Sequence, residues 1–311
     1  MSSQAAIKPK KSTANSGSRL FYNNAGLLYV LPWMLGFLIF QLYPFLASLF
    51  YSFTDYSIVK EMRFVGLQNY KRIFTIDRDF YQSLKVTFIY VFFSVPFKLL
   101  FALFIALLLN MKVRCINAFR MLYYLPSILG GSVGIAIMWR FLFNRYGLVN
   151  LMLAKINIGP IDFIGSPDIA IYTISLLSVW QFGSSMILFL AALKQVPGEL
   201  IEAAKIDGAG RIKVFFKITL PMITPIVFFN VIMQTISAFQ QFSAPYNITN
   251  GGPLKSTYLY GLMLYENAFS YLKMGYACAQ SWILFAIILA FTAVVFKTSP
   301  YWTFYEDGGD F

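Results

Sequence analysis

The stretch EAAKIDGAGRIKVFFKITLP, residues 202–221, is polar and charged, yet it sits between two runs apolar enough to cross a bilayer. Its spacing is E-A-A, three residues, Gly, nine residues, then I-x-L-P, carried by Glu202, Ala203, Ala204, Gly208, Ile218, Leu220 and Pro221. Pro197 suits the first turn of a helix. Glu199 and Glu202 follow near its N-terminus, where the helix dipole favours negative charge. Gly208 can close that helix in a left-handed conformation that most residues avoid. Ala203, Ala204 and Ala209 keep the surface narrow enough to enter a groove. Arg211, Lys213 and Lys217 then place positive charge beside the bilayer. From the residues alone, the segment is either a docking surface or an amphipathic helix resting on lipid headgroups.

The composition outside this segment fits a membrane setting. A soluble domain carries about 25% charged residues; this 311-residue chain carries 12%, with 58% hydrophobic and 19% aromatic residues. The apolar residues come in unbroken runs such as LLFALFIALLL (99–109) rather than in amphipathic periods. Such runs predict an all-α integral membrane protein and argue against a β-barrel, whose strands alternate over about ten residues. The net charge of +12 is scattered among loops and forms no basic block, which points to membrane-flanking charge and lipid contact rather than nucleic acid.

Six spans follow at roughly 20 or more residues each: about 26–53, 82–109, 119–143, 169–193, 218–241 and 277–298. Residues 1–25 and 300–311 read as tails, with 26–299 as one transmembrane domain and 194–217 as the loop that carries the opening stretch. Lys112 and Arg114 in a short loop, with Arg120 just inside the next span, place that loop, both termini and residues 202–221 on the inner side, because short loops carry the positive-inside signal. Lys85 and Lys98 fall within the second span and read as lying toward its outer part.

At every defining position, residues 202–221 resemble the EAA loop of ABC-importer permeases. FVGLQNYKRIF (64–74) resembles an element of the carbohydrate-uptake branch, as do Arg120, Leu125 and Pro126 followed by Gly147 and Asn150. Thr249 with Gly251, Gly252 and Pro253 resembles the T-x-G-G-P element of the maltose-type or glycerol-3-phosphate-type first permease. The resemblance covers about residues 25–300. It implies a six-helix type I ABC importer permease fold with a cytoplasmic coupling helix, in which Glu202, Ala203, Ala204, Asp207, Gly208 and Ala209 couple to the ATPase. It also implies a bacterial or archaeal cytoplasmic membrane, a homologous second permease, two ATPase subunits that bind the ATP and Mg, and an extracytoplasmic solute-binding protein. The implied cargo is a carbohydrate, with an oligosaccharide favoured and a glycerol-3-phosphate-like or acidic oligosaccharide solute as the alternative. Nothing between residues 54 and 81 is large enough for the extra domain of the enterobacterial maltose permease, so the compact form is expected.

Polar residues inside spans tend to face a cavity or another helix. On the fifth span Asn230, Gln234, Ser237 and Gln241 recur at i, i+4, i+7 and i+11 and fall within about 60° of arc. On the fourth, Ser178, Gln181 and Ser185 share a similar arc. These two stripes are the expected substrate path, because amides and hydroxyls suit a hydroxyl-rich solute. Trp180, Phe239 and Tyr246 are candidates for stacking on sugar rings. The alternative is that the polar groups glue helices together, and Gly130, Gly131, Ser132 and Gly134 read as close helix packing.

Enzymatic chemistry is not expected. The chain has no histidine, so His-based catalysis and His metal ligation are absent, and its two cysteines, Cys115 and Cys278, form no metal-ligand spacing. GGPLKST (251–257) fails the phosphate-loop spacing because Leu254 precedes Lys255, so no cofactor is expected in this chain. A self-sufficient carrier would show intramembrane charge relays or internal repeats, and neither is evident.

Overall fold

The computed structural model describes residues 29–59, 61–111 and 115–304. The expected N-terminal tail (1–25), Lys112, Arg114 and the end of the C-terminal tail (305–311) lie outside the described residues. Among the described residues, four helices are long and apolar enough to cross a membrane, or six if two bent helix pairs each count as one span. The chain divides into two compact units, one reaching to Tyr51 and one from Ser52 onward.

The first unit is the helix α1, Tyr29–Ser52 up to its boundary. Along it Trp33 stacks on Phe37 at 5.7 Å. A π-helical turn, Leu38–Leu42, precedes Pro44. Proline lacks the N–H and its ring crowds the carbonyl four residues back, so a widened turn relieves the clash.

The second unit is built around α3, Arg78–Leu109. Asp77 caps its start, the carboxylate accepting from the Asp79 and Phe80 amides at 3.0 and 3.3 Å. Around α3 pack α7 (Ala170–Trp180), α8 (Gly183–Gln195), α10 (Arg211–Phe239) and α12 (Tyr260–Tyr265). Lipid is as apolar as leucine, so helices associate here through close van der Waals contact and satisfied polar groups. Ala102 and Ala106 are fully buried on α3 and let neighbours approach. Thr87 shows the polar part: its hydroxyl donates to Ser83 O at 2.7 Å and accepts from the Tyr260 amide at 2.8 Å.

The third and fourth spans differ from the uninterrupted helices that the sequence predicts. The third is α4 (Ile116–Leu129) and α5 (Val133–Leu142), bent by 102° across Gly130–Ser132. The fourth bends by 45° between α7 and α8. Broken backbone at membrane depth is tolerated only where protein or water satisfies it, and these breaks are satisfied by each other. Ser127 Oγ donates to Gln181 O at 3.1 Å and accepts from the Ser184 amide at 3.1 Å. Gly183 lies so close to α4 that a Cβ would stand 2.7 Å from Tyr123 O.

Several family-like motif residues are structural pins. Asn69, on α2 (Gln68–Thr75), donates to both Ser52 O and Thr54 O at 2.9 Å. Asn150, on α6 (Leu148–Ala154), donates to Ile161 O at 2.8 Å and accepts from its amide at 2.9 Å, which closes the loop after the third span. The last described residues do not form a free tail. After α13 (Met274–Tyr301), Trp302 packs on Phe228 at 5.9 Å, and the Phe304 amide donates to Thr224 Oγ1 at 2.8 Å.

Candidate functional site

A cavity of about 250 Å³ opens where the broken spans meet α3 and the end of α10. Ser178, Gln181, Gln234, Ser237 and Gln241 all line it, so two stripes from different spans converge on one space. Gln181 follows the end of α7 and donates from Nε2 to Gly130 O at 2.8 Å. Gln241 lies past the end of α10, where the chain turns into α11 (Ser243–Ile248). The stripe therefore runs off the helix into irregular backbone.

Ser185 and Asn230 are the two expected path residues that the structure keeps away from the cavity. The bend re-aims α8, so Ser185 is fully buried among helices, its hydroxyl without a hydrogen-bond partner. Asn230 is also buried, and its amide donates to Ile226 O of its own helix at 3.0 Å. The expected aromatic platforms are likewise occupied elsewhere. Phe239 is buried against Phe88, Trp180 packs on Trp139, and Tyr246 stacks on Phe242. None of the three lines the cavity.

Sequence reasoning missed other lining residues. Ser127, Ser132, Ser184 and Ser243 stand at the helix breaks, and Tyr90 joins them from α3. The glycine pair at 130–131, read as helix packing, was the available signal for a break. Gly130 does approach another helix, but through the Gln181 side chain, whereas no described residue lies within 4 Å of where a Cβ on Gly131 or Gly134 would stand. Lys98 also lines the cavity. A lone lysine in an apolar run signals function, but its depth and direction were not readable.

The second set of expected residues forms a separate feature. Helix α9 (Gly198–Ile206) begins after Pro197, which stands at the N-cap rather than in the first turn. No residue of α9 is buried. Glu202, Ala203, Asp207 and Gly208 are exposed, while Ala204 and Ala209 are half-buried. The helix closes in a Schellman turn: the Ala209 amide donates to Ala204 O at 2.9 Å and the Gly208 amide to Lys205 O at 3.0 Å. Gly208 takes φ +77°, the left-handed region that favours glycine. Ile206 and Ile212 project on either side of this turn, 87% and 76% exposed. The helix into the fifth span starts at Arg211, passing through a π-helical turn, Phe215–Thr219, before Pro221, as before Pro44. The site thus comprises a polar cavity at helix breaks and an exposed, rigidly terminated helix with apolar ends.

The family model described as "Binding-protein-dependent transport system inner membrane component" matches residues 77–299. The probable ABC transporter permease protein YesP of Bacillus subtilis is 50% identical over 91% of this chain and 93% of its own length. The trehalose/maltose transport system permease protein MalF of Thermococcus litoralis is 32% identical over 92% and 98%. Among solved structures, a chain of a bacterial alginate ABC transporter, in complex with an alginate pentasaccharide-bound periplasmic protein, superposes with a TM-score of 0.78. That match has 23% identity over 90% of this chain and 97% of that one.

Proposed function

The chain belongs to the family of binding-protein-dependent transport system inner-membrane components and has the type I permease fold, and from that premise we propose that it is one permease subunit of an ATP-driven importer passing a carbohydrate into the cytoplasm. The observation that carries the cargo class is the cavity itself, walled by the amides of Gln181, Gln234 and Gln241 and by serine hydroxyls. Such groups both donate and accept, as sugar hydroxyls require. The 32% identical trehalose/maltose permease of Thermococcus litoralis supports the same reading.

In this reading residues 26–299 form the permease domain, embedded in a bacterial or archaeal cytoplasmic membrane with both termini and α9 inside. A homologous second permease completes the path, and two ATPase subunits, which bind the ATP and Mg, sit beneath the α9 helices. Glu202, Ala203, Ala204, Asp207, Gly208 and Ala209 form the contact that transmits ATPase closure, while Gln181, Gln234 and their cavity neighbours meet cargo released by the binding protein. The ATPase favours one of two permease states when closed and the other when open, and this difference drives alternating access. This chain carries the path and no ATP chemistry.

The test is affinity purification from native membranes in mild detergent, with mass spectrometry of the co-purifying chains. A sister permease, together with an ATPase in double stoichiometry, is the expected result. Recovery of this chain alone, under conditions that keep other membrane complexes whole, sinks the docking role of α9.

A further inference from the structure

We infer that Lys98 makes the cavity selective for a saccharide bearing a carboxylate, so that the cargo is an acidic oligosaccharide containing uronic acid residues. The inference deepens the reading of the preceding section and rests on it. Among the described residues lining the cavity, Lys98 alone is charged; its polar neighbours are amides, hydroxyls and a phenol. The chain's described ion pair, Lys255 with Asp79, lies elsewhere, and the Lys98 ammonium has no hydrogen-bond or ion-pair partner among the described residues.

An unpaired ammonium inside a span is costly, and such groups persist where a partner or a bound ligand compensates them. A neutral sugar is fully served by the amides and hydroxyls already present and gives this cation nothing. A carboxylate pairs with it through a charge-assisted hydrogen bond while the hydroxyls take the neutral groups. The field around the cavity has the same sign. Ser132, the N-cap of α5, and Ser184, in the first turn of α8, open onto it, so the positive ends of two half-helices face the space that holds the cargo. No carboxylate among the described residues lines the cavity to oppose that field.

The test uses the complete importer, with sister permease, ATPase and binding protein, reconstituted in liposomes containing ATP. It is offered a pool of uronic-acid oligosaccharides from pectin and alginate digests together with the same material carboxyl-reduced to neutral sugars. Mass spectrometry identifies what accumulates. The acidic species are expected inside. Lys98→Met should cut their uptake about tenfold or more, the scale of one hydrogen bond to a charged group. Lys98→Arg should retain most of the uptake. Accumulation of the neutral sugars in preference, or a Lys98→Met importer with an unchanged acid-to-neutral ratio, overturns the inference. A Lys98→Met variant that loses both sugars and the stimulated ATP hydrolysis also overturns it, because the lysine would then be paired with a carboxylate of the sister permease. If no saccharide of either kind accumulates in an assembled, ATP-hydrolysing importer, the carbohydrate reading itself falls, and this inference with it.

Discussion

The side-chain amide of Gln181 donates to the Gly130 carbonyl oxygen at 2.8 Å, and a Cβ at position 130 would stand 2.5 Å from the Gln181 side chain. One broken span thus satisfies a carbonyl exposed by the break in another, and the contact exists only because residue 130 has no side chain. Both residues line the cavity, so the same hydrogen bond fixes part of its wall.

Gly130→Ala is therefore expected to push Gln181 out of place, and Gln181→Leu to leave the Gly130 carbonyl unpaired. A fully buried carbonyl without a partner costs about 1–3 kcal/mol, and Gly130 is half-buried, so the loss here lies toward the low end of that range. Each variant should lower the melting temperature of the detergent-solubilised complex and reduce uptake. The double variant should cost less than the sum of the two, since both remove one interaction. Strict additivity would mean that the two residues act independently.

Gly208 makes a second, sharper case. Its φ of +77° costs an L-residue about 1–2 kcal/mol, and the Schellman turn it closes sets the direction in which the chain leaves α9. Gly208→Ala should reduce ATP-driven uptake several-fold while the protein still inserts, and Gly208→Asn should do less harm because asparagine tolerates this region better. Gly198→Ala at the other end of α9 meets nothing within 4 Å and serves as the control. Equal uptake by the Gly208→Ala and Gly198→Ala variants would remove Gly208 from the coupling contact.

What the sequence could and could not reveal follows from what each signal reports. Apolar runs and the residue 202–221 spacing register length and local propensity, and these gave the span count and the end of α9 at Gly208. The bends did not register, because Gly130–Gly131–Ser132 and Gln181–Phe182–Gly183 lie inside otherwise apolar runs, and a mid-span glycine is as often a packing residue as a break. A polar stripe read from residue spacing presumes a straight helix. Gln234 and Ser237 precede the end of α10 and reach the cavity, whereas Ser185 follows the bend in the fourth span and was carried away from it. Lys98 could be seen in its run, but its direction depends on which helices surround α3, and that is a tertiary property.

The contrast between Gln234 and Asn230 tests the cavity assignment directly. Both are polar, and they lie one helical turn apart, but only Gln234 lines the cavity; Asn230 is spent on Ile226 O. Gln234→Ala should raise the substrate concentration needed for half-maximal uptake several-fold with little effect on melting temperature. Asn230→Leu removes a buried amide whose Oδ1 is already without a partner, so it should leave that concentration unchanged and be neutral or stabilising. Reversed behaviour would place the path about one helical turn nearer the start of α10, at Asn230.

The apolar ends of α9 separate docking from mere contact with lipid. Ile206, at 87% exposure, stands beside the Gly208 turn, uncovered by any described residue. Burying an isoleucine against a partner contributes about 1.5–3 kcal/mol, which corresponds to a ten- to hundredfold change in affinity. Ile206→Lys should therefore lower the ATPase recovered per permease in mild detergent by at least about tenfold, while the amount of permease in the membrane stays the same. A helix resting on headgroups predicts otherwise, since a lysine there gains attraction to anionic lipid and loses only part of the apolar contact. Undiminished ATPase recovery, with tighter binding of the isolated chain to anionic vesicles, would assign α9 to the lipid surface instead.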